Sequence, residues 1–342
     1  MDAMTYGNVA FVGVGELRAV PGVEGLRLQR VPEDLRLQLN PRAQRQMLDP
    51  AEVEIRFVAD SPTVRVTLNV PEGGTVVQPF WGPFQAKQRY TVTGLQTLEL
   101  AYPEKVADLE SKYADSLCPH PRVWRLMLRG GVVHFVGVEG DGVRPPLPEE
   151  VSSLTYLTYG TSITHGAAAT GAHLTYPAQV ARRLGANLVN LGVGGAAHCE
   201  KPLADYVAAR RDWQVASLGL SVNMIGAGFD AAEFRDRVTY WVHTVAGSDP
   251  TRPVACITLF PHFRECCPQF RESPNWRLTP DVCRVILREA VVTCPTDNAF
   301  IVEGPDMLDL GGLCEDLIHP ADHGMIQMGE VLARELHARL GV

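Results

Sequence analysis

Leu154-Thr-Tyr-Leu-Thr-Tyr159-Gly160-Thr161-Ser162-Ile163-Thr164 decides how the second half of this chain is read. Leu154 to Tyr159 is uncharged and rich in β-branched and aromatic side chains, which suits a strand buried on both faces. Gly160 then suits a sharp turn. Ser162 follows this strand and precedes a Gly- and Ala-rich segment, so its hydroxyl can sit at the start of a helix. Free backbone N–H groups and the helix dipole there favour a developing anion, although a serine at such a junction can equally be a cap. The flanking residues are not Gly-x-Ser-x-Gly, so the nucleophile elbow of α/β-hydrolases is not matched.

The same rhythm recurs outward from this stretch. Asn187 to Leu191, Ala216 to Ser221, Val254 to Leu259 and Ala299 to Val302 are short apolar runs. Helical patterns cover Tyr176 to Leu184, Ala231 to Val245, Pro280 to Val292 and His323 to Leu340. Strands alternating with helices predict a parallel sheet in a three-layer α/β/α domain. Ligands of such sheets bind beyond the carboxyl ends of the strands. The segments that carry Ser162, Gly195 and Asn223 fall at those ends.

Before residue 150 the period shortens. Val53–Val58, Thr63–Val70, Arg89–Thr93, Leu95–Leu100, Val123–Leu128 and Val132–Val136 alternate with a period of two, between turn signals at Pro71-Glu72-Gly73-Gly74 and Gly130-Gly131. These predict an all-β sandwich. Gly140 to Pro148 breaks every pattern and is read as the linker, giving an N-terminal β-sandwich domain over 1–148 and an α/β domain over 149–342.

Composition narrows the function classes. The chain has 342 residues, 46% of them hydrophobic, and a formal net charge of −8, so it carries no basic footprint for nucleic acid or an anionic membrane surface. No apolar run approaches the roughly 20 residues of a membrane span. Met1 to Val20 carries Asp2 and Glu16 and lacks a signal-peptide pattern, so a soluble cytoplasmic protein is expected. The eight cysteines are scattered, unlike a disulfide framework or paired zinc-ligand spacings. Mostly buried thiols follow, with neighbouring Cys266 and Cys267 as a redox-sensitive exception.

A serine needs a base within hydrogen-bond reach to act as a nucleophile. Asp316-Leu317-Ile318-His319 offers one, because a short turn can bring the carboxylate to one ring nitrogen and leave the other for Ser162. Asp-x-x-His before Pro320 also fits a helix cap. Acyl transfer places charge on a carbonyl oxygen, which prearranged donors stabilise. Gly195, in Asn190-Leu-Gly-Val-Gly-Gly195, can present a bare backbone N–H, and Asn223 in Ser221-Val222-Asn223 can offer an amide. The Gly run lacks the lysine of a phosphate-binding loop.

The order Ser162, Gly195, Asn223, Asp316/His319 resembles the SGNH, or GDSL-type, hydrolase family across roughly residues 154 to 340. The resemblance implies a flavodoxin-like sheet and ester hydrolysis without metal or cofactor. Ser162, Asp316 and His319 would be catalytic, with Ser162, Gly195 and Asn223 forming the oxyanion hole. Gly160-Thr161-Ser162 replaces the family's frequent Gly-Asp-Ser, and Ser221-Val222-Asn223-Met224 departs from Gly-x-Asn-Asp, which puts the shape of that loop in question. A preceding sandwich is similar to the subset of the family with a jelly-roll module beside the active site.

Further residues are read as substrate contacts. Phe80-Trp81-Gly-Pro-Phe84, taken as a long loop, supplies Trp81 and Phe84 as a cleft lip, against the plainer reading that they close the sandwich core. Pro261 to Pro280 is an irregular insertion with His262, Phe263, Arg264, Phe270 and Trp276, expected to line the acyl or alcohol pocket. His165 and His198 sit near the nucleophile and the Gly turn and are expected at the substrate. The leading function is a metal-independent serine esterase for a small ester, such as an acylated sugar. The alternatives are an acyltransferase with the same triad and a carbohydrate-binding protein with an inactive hydrolase domain. No nucleic-acid or membrane partner is expected, and a homo-oligomer is left open.

Overall fold

The computed structural model describes residues 4–220, 222–270 and 277–341. Its C-terminal part is built on a five-stranded sheet. In sequence the strands are Thr155–Tyr159, Asn187–Asn190, Val215–Gly219, Val254–Ile257 and Ala299–Val302, and in space the second lies outside the first, so the order is 2-1-3-4-5. Every neighbouring pair is parallel. This is the flavodoxin-like order, and its reversal between the first and third strands marks the crevice where a ligand binds.

Helices cover both faces. Ala231–Gly247 and Pro280–Val292 bury Phe234, Trp241, Ile286 and Leu287 against one face, while Tyr176–Leu184 and Asp322–Leu340 bury Val180, Met325 and Leu332 against the other. The helix Lys201–Ala209 joins the first group; no apolar periodicity strong enough to reveal it stands out in the sequence. No helix among the described residues is long and apolar enough to cross a membrane.

The N-terminal part is a curled ten-stranded antiparallel sheet that closes over its own apolar core. Its pivot is the strand Thr63–Trp81. Val64, Val66, Leu68 and Val70 point inward and their neighbours outward, as the period-two pattern predicts. Pro71-Glu72-Gly73-Gly74 proves to be a bend within this strand instead of its end. Up to Glu72 the strand pairs with Val132–Glu139, and from Val76 it pairs with Trp124–Arg129, with a register shift against Tyr90–Ala101 in between. One strand thereby serves both layers. Gly94 likewise lies inside a single strand, Tyr90–Ala101, where two strands were expected. Four strands before residue 30 add to the predicted set.

Between these strands the chain leaves the sandwich. Two short helices, Glu33–Arg36 and Pro41–Gln46, carry Leu35, Leu39, Ala43 and Met47 into the same core as Leu157, Val189 and Leu191 of the parallel sheet. Asn40 caps the second helix, accepting from the Ala43 N–H at 3.0 Å, with Pro41 at its first position. The sandwich also grips the segment after Ser162: Arg129 donates to the carbonyls of Gly166 and Ala169, and Arg89 to that of Thr170 at 2.9 Å. N-terminal residues therefore reach the crevice of the parallel sheet.

Candidate active site

Ser162 opens the helix Ser162–His165 immediately beyond the first parallel strand. The capping role falls to Thr161, whose hydroxyl accepts from the Ile163 N–H at 3.4 Å, so the Ser162 hydroxyl is free for another partner. That partner is His319, with Oγ and Nε2 2.8 Å apart. The other ring nitrogen, Nδ1, is 2.6 Å from Asp316 Oδ2.

The Asp316–His319 turn is built for this pairing. Asp316 Oδ1 accepts the backbone N–H groups of Ile318 at 3.0 Å and His319 at 2.9 Å, which reverses the chain within three residues. Leu317 sits at φ 52°, a left-handed conformation unfavourable for a branched side chain. Its carbonyl accepts from the Phe263 N–H at 3.0 Å, tying the turn to the insertion after the fourth strand. Partial burial pulls the Asp316 carboxyl upward, but the hydrogen bonds from the His319 ring and from both backbone N–H groups outweigh it and hold the carboxyl below its usual range. Asp316 caps no helix, since the next one begins at Asp322.

The Gly-rich turn packs directly on the serine helix. A Cβ at Gly192 would lie 2.4 Å from the His165 backbone nitrogen, so any side chain there would push the two segments apart. Gly195 has φ +69° and faces the cleft. Asn223 lies in the helix Val222–Gly226, and its Oδ1 accepts from the Ala197 N–H at 3.1 Å. This bond leaves the amide N–H groups of Asn223 as its free donors. Ser221, which begins that sequence segment, lies outside the described residues, as does Trp276.

Ser162, His319, Gly195 and Asn223 line one cleft of about 720 Å³. His165, His198, His262, Phe263 and Arg264 line it as well. Among the described residues the lining contains no Asp or Glu, although the chain is acidic overall. His262 is buried, and burial together with the charge of Arg264 lowers its imidazole to about 4. Its Nδ1 accepts from the Arg264 N–H at 3.3 Å, which leaves the proton of the neutral ring on Nε2. His198 packs against Phe229 at 5.3 Å, and burial lowers its imidazole too. Beside the cleft, and sharing Val222, His262 and Ile318 with it, is a narrow pit walled by Ile163, Leu259 and Phe260.

Trp81 and Phe84 are not at this site. Trp81 ends a strand, joined to Phe84 by a tight hairpin, and its ring packs edge-on against Tyr102 and Trp124 in the sandwich. Neither lines the cleft. An indole gains more from a nearby aromatic core than from solvent, so the plainer reading holds for Trp81, while Phe84 is exposed in the hairpin. Phe270 lies on the surface with its ring edge-on to Phe263. Cys266 and Cys267 are free thiols with Sγ atoms 3.9 Å apart.

The N-terminal half supplies residues that no local motif announced. Arg30 is buried, and each of its three guanidinium nitrogens meets a carbonyl: Nε that of Asp49 at 2.8 Å, Nη1 those of Asn190 at 3.0 Å and Gly192 at 2.8 Å, and Nη2 that of Gln46 at 2.6 Å. It thus clamps the start of the Gly-rich turn. Asp49 Oδ1 lies 3.6 Å from His165 Nε2. Burial would raise the Asp49 carboxyl, but His165 and Arg30 reverse the effect and lower it. Glu52, also buried, accepts from the Asn190 side chain, which in turn donates to the Thr164 carbonyl at 2.7 Å. Arg42 reaches the cleft from the short helix and donates through Nε to the Gly194 carbonyl at 3.1 Å. Asn40-Pro41 is a readable helix start, but nothing in it says that the helix lands beside residues 190–195.

This fold and site define a class, and sequence comparison agrees with it. A family model for the GDSL-like lipase/acylhydrolase family matches residues 155–337, and the chain belongs to that family. Solved structures of similar fold include esterases and an acyltransferase. A salicylyl-acyltransferase, SsfX3, from a tetracycline biosynthetic pathway superposes with a TM-score of 0.72 at 17% identity, covering 99% of this chain and 97% of the other. An acetyl xylan esterase from the rumen bacterium Butyrivibrio proteoclasticus gives 0.62 at 12% identity, covering 99% and 96%. A family two carbohydrate esterase from Clostridium thermocellum, solved with cellohexaose, gives 0.59 at 19% identity, covering 85% and 92%. At these identities the likeness is one of fold. No curated protein matches the chain.

Proposed function

We propose that this protein is a serine esterase that removes a short acyl group from a small hydroxylated molecule, such as an acylated sugar. The observation that carries the reading is the line Ser162 Oγ, His319 Nε2, His319 Nδ1, Asp316 Oδ2, with contacts of 2.8 and 2.6 Å, whose serine and histidine line the cleft. His319 takes the Ser162 proton as Oγ bonds to the ester carbonyl carbon. Asp316 fixes the ring tautomer and stabilises the imidazolium. The oxyanion is held by the N–H groups of Ser162 and Gly195 and by the Asn223 amide. Collapse expels the alcohol, which takes the proton from His319. Water, deprotonated by the same His319, then attacks the acyl-enzyme and releases the acid.

The narrow pit, about 20 Å³, admits no more than the tip of a short acyl chain, and the larger cleft has room for the alcohol. Acylated sugars fit such a division, and carbohydrate esterases are among the proteins of similar fold. The test is release of p-nitrophenol from short acyl esters by wild type and Ser162→Ala, with and without added alcohols. Saturable turnover lost in the variant supports the reading. Acyl products formed preferentially on alcohols would reassign the protein as a transferase, and equal rates in both proteins would remove Ser162 as nucleophile.

A further inference from the structure

The cleft holds two permanent cations in an acidic protein. Among the described residues its lining includes Arg42 and Arg264 and no carboxylate, beside His165, His198, His262 and His319, whereas the chain as a whole has a formal net charge of −8. Arg42 stands out within this set. Its Nε is fixed on the Gly194 carbonyl at 3.1 Å, and among the described residues Nη1 and Nη2 have neither a hydrogen bond nor a carboxylate within ion-pair distance. The guanidinium lies flat against Gly195: a Cβ built there would be 2.4 Å from both Cζ and Nη2. The absence of a side chain at Gly195, which sits at φ +69°, makes room for the cation. A single backbone carbonyl holds the head, and the Nη1/Nη2 edge remains free to donate two parallel bonds.

We propose that Arg42 determines specificity for esters whose alcohol part carries a carboxylate, such as an acylated sugar acid or hydroxy acid. This rests on the esterase reading above and refines its substrate class. A guanidinium is a permanent cation whose planar fork matches a carboxylate through two parallel N–H···O bonds. Arg42 lines the cleft and not the narrow pit, so once the acyl group occupies the pit the alcohol is the part left to meet it. The charges of Arg42 and Arg264 in the wall also raise the local concentration of an anionic substrate.

The experiment compares 3-acetoxybenzoate with its neutral isostere 3-acetoxybenzamide. Values of kcat/KM, each divided by that ester's hydroxide-catalysed rate, are measured for wild type, Arg42→Gln and Arg42→Lys. Wild type is expected to prefer the anion by roughly tenfold or more, as a charge-assisted pair allows. Arg42→Gln should bring the ratio close to one, and Arg42→Lys, which keeps the charge without the fork, should retain part of it. A wild-type ratio near one, or the full wild-type ratio in Arg42→Gln, overturns the proposal. Should the glutamine variant fail to fold, inhibition of wild type by 3-hydroxybenzoate and 3-hydroxybenzamide decides: the proposal requires the anion to bind roughly tenfold tighter, and equal inhibition overturns it. Ser162-dependent turnover of both esters without anion preference would refute the role of Arg42 alone, whereas absence of Ser162-dependent turnover would refute the esterase reading itself.

Discussion

Glu52 joins the sandwich to the nucleophile region, and its titration can be measured. The carboxyl is buried, with Oε2 accepting from Asn190. Burial raises it from 4.5 to about 7, against smaller opposing pulls from Asn190, Arg129 and Arg30. An acid whose carboxyl titrates higher when folded binds its proton more tightly in the native state. Its contribution to stability is therefore complete below about 4.5, falls as pH rises to about 7, and is constant above that. The gap corresponds to about 3 kcal/mol overall, most of which lies between pH 5 and pH 8. Glu52→Gln removes the titration and keeps an acceptor for Asn190. The difference in Tm between variant and wild type should shift in the variant's favour by about 5 °C from pH 5 to pH 8, at roughly 2 °C per kcal/mol for a chain of this size. Other titrations cancel in that difference. Calorimetry at the two pH values reads it directly, and an unchanged difference would show that Glu52 does not titrate in this range.

Three further outcomes test other parts of the structure. Asp316→Asn should preserve the fold and lower kcat by about 10³ to 10⁴-fold, because the amide favours the wrong histidine tautomer; a loss below tenfold in steady-state ester hydrolysis would contradict the pairing. Arg30→Leu should cost about 3 to 5 kcal/mol in denaturant unfolding, because it leaves the carbonyls of Gln46, Asp49, Asn190 and Gly192 without their buried donor. Trp81→Ala should cost about 3 kcal/mol through lost packing with Tyr102 and Trp124, while kcat/KM for short esters stays within about twofold; a changed substrate profile would return Trp81 to the cleft.

What could be read from the sequence was what short-range physics controls. Strand and helix periods follow from which side chains face a core, so the parallel sheet was legible from Leu154 to Val302. The Asp316–His319 pair was legible because its hydrogen bonds close within four residues. The bend at Pro71–Gly74 was misread as a strand end, because Gly and Pro mark a change of direction without saying whether pairing continues beyond it. Trp81 and Phe84 were misplaced for a related reason, since aromatic content does not say which core lies nearest, or whether a ring enters one at all.

The sequence by itself determined the layered architecture, the residue types of the four segments and the position of three of them, with Ser162, Gly195 and Asn223, just beyond strand ends. Tertiary structure alone decided that Ser162 and His319, 157 residues apart, meet at 2.8 Å. It also decided that Arg30 reaches Asn190 across 160 residues and that Arg42 rests against Gly195. Such contacts leave no periodic trace. An arginine that satisfies distant carbonyls, or lies over a distant glycine, has the same local sequence as one in solvent, and only the packing of two separately patterned halves gives it a partner.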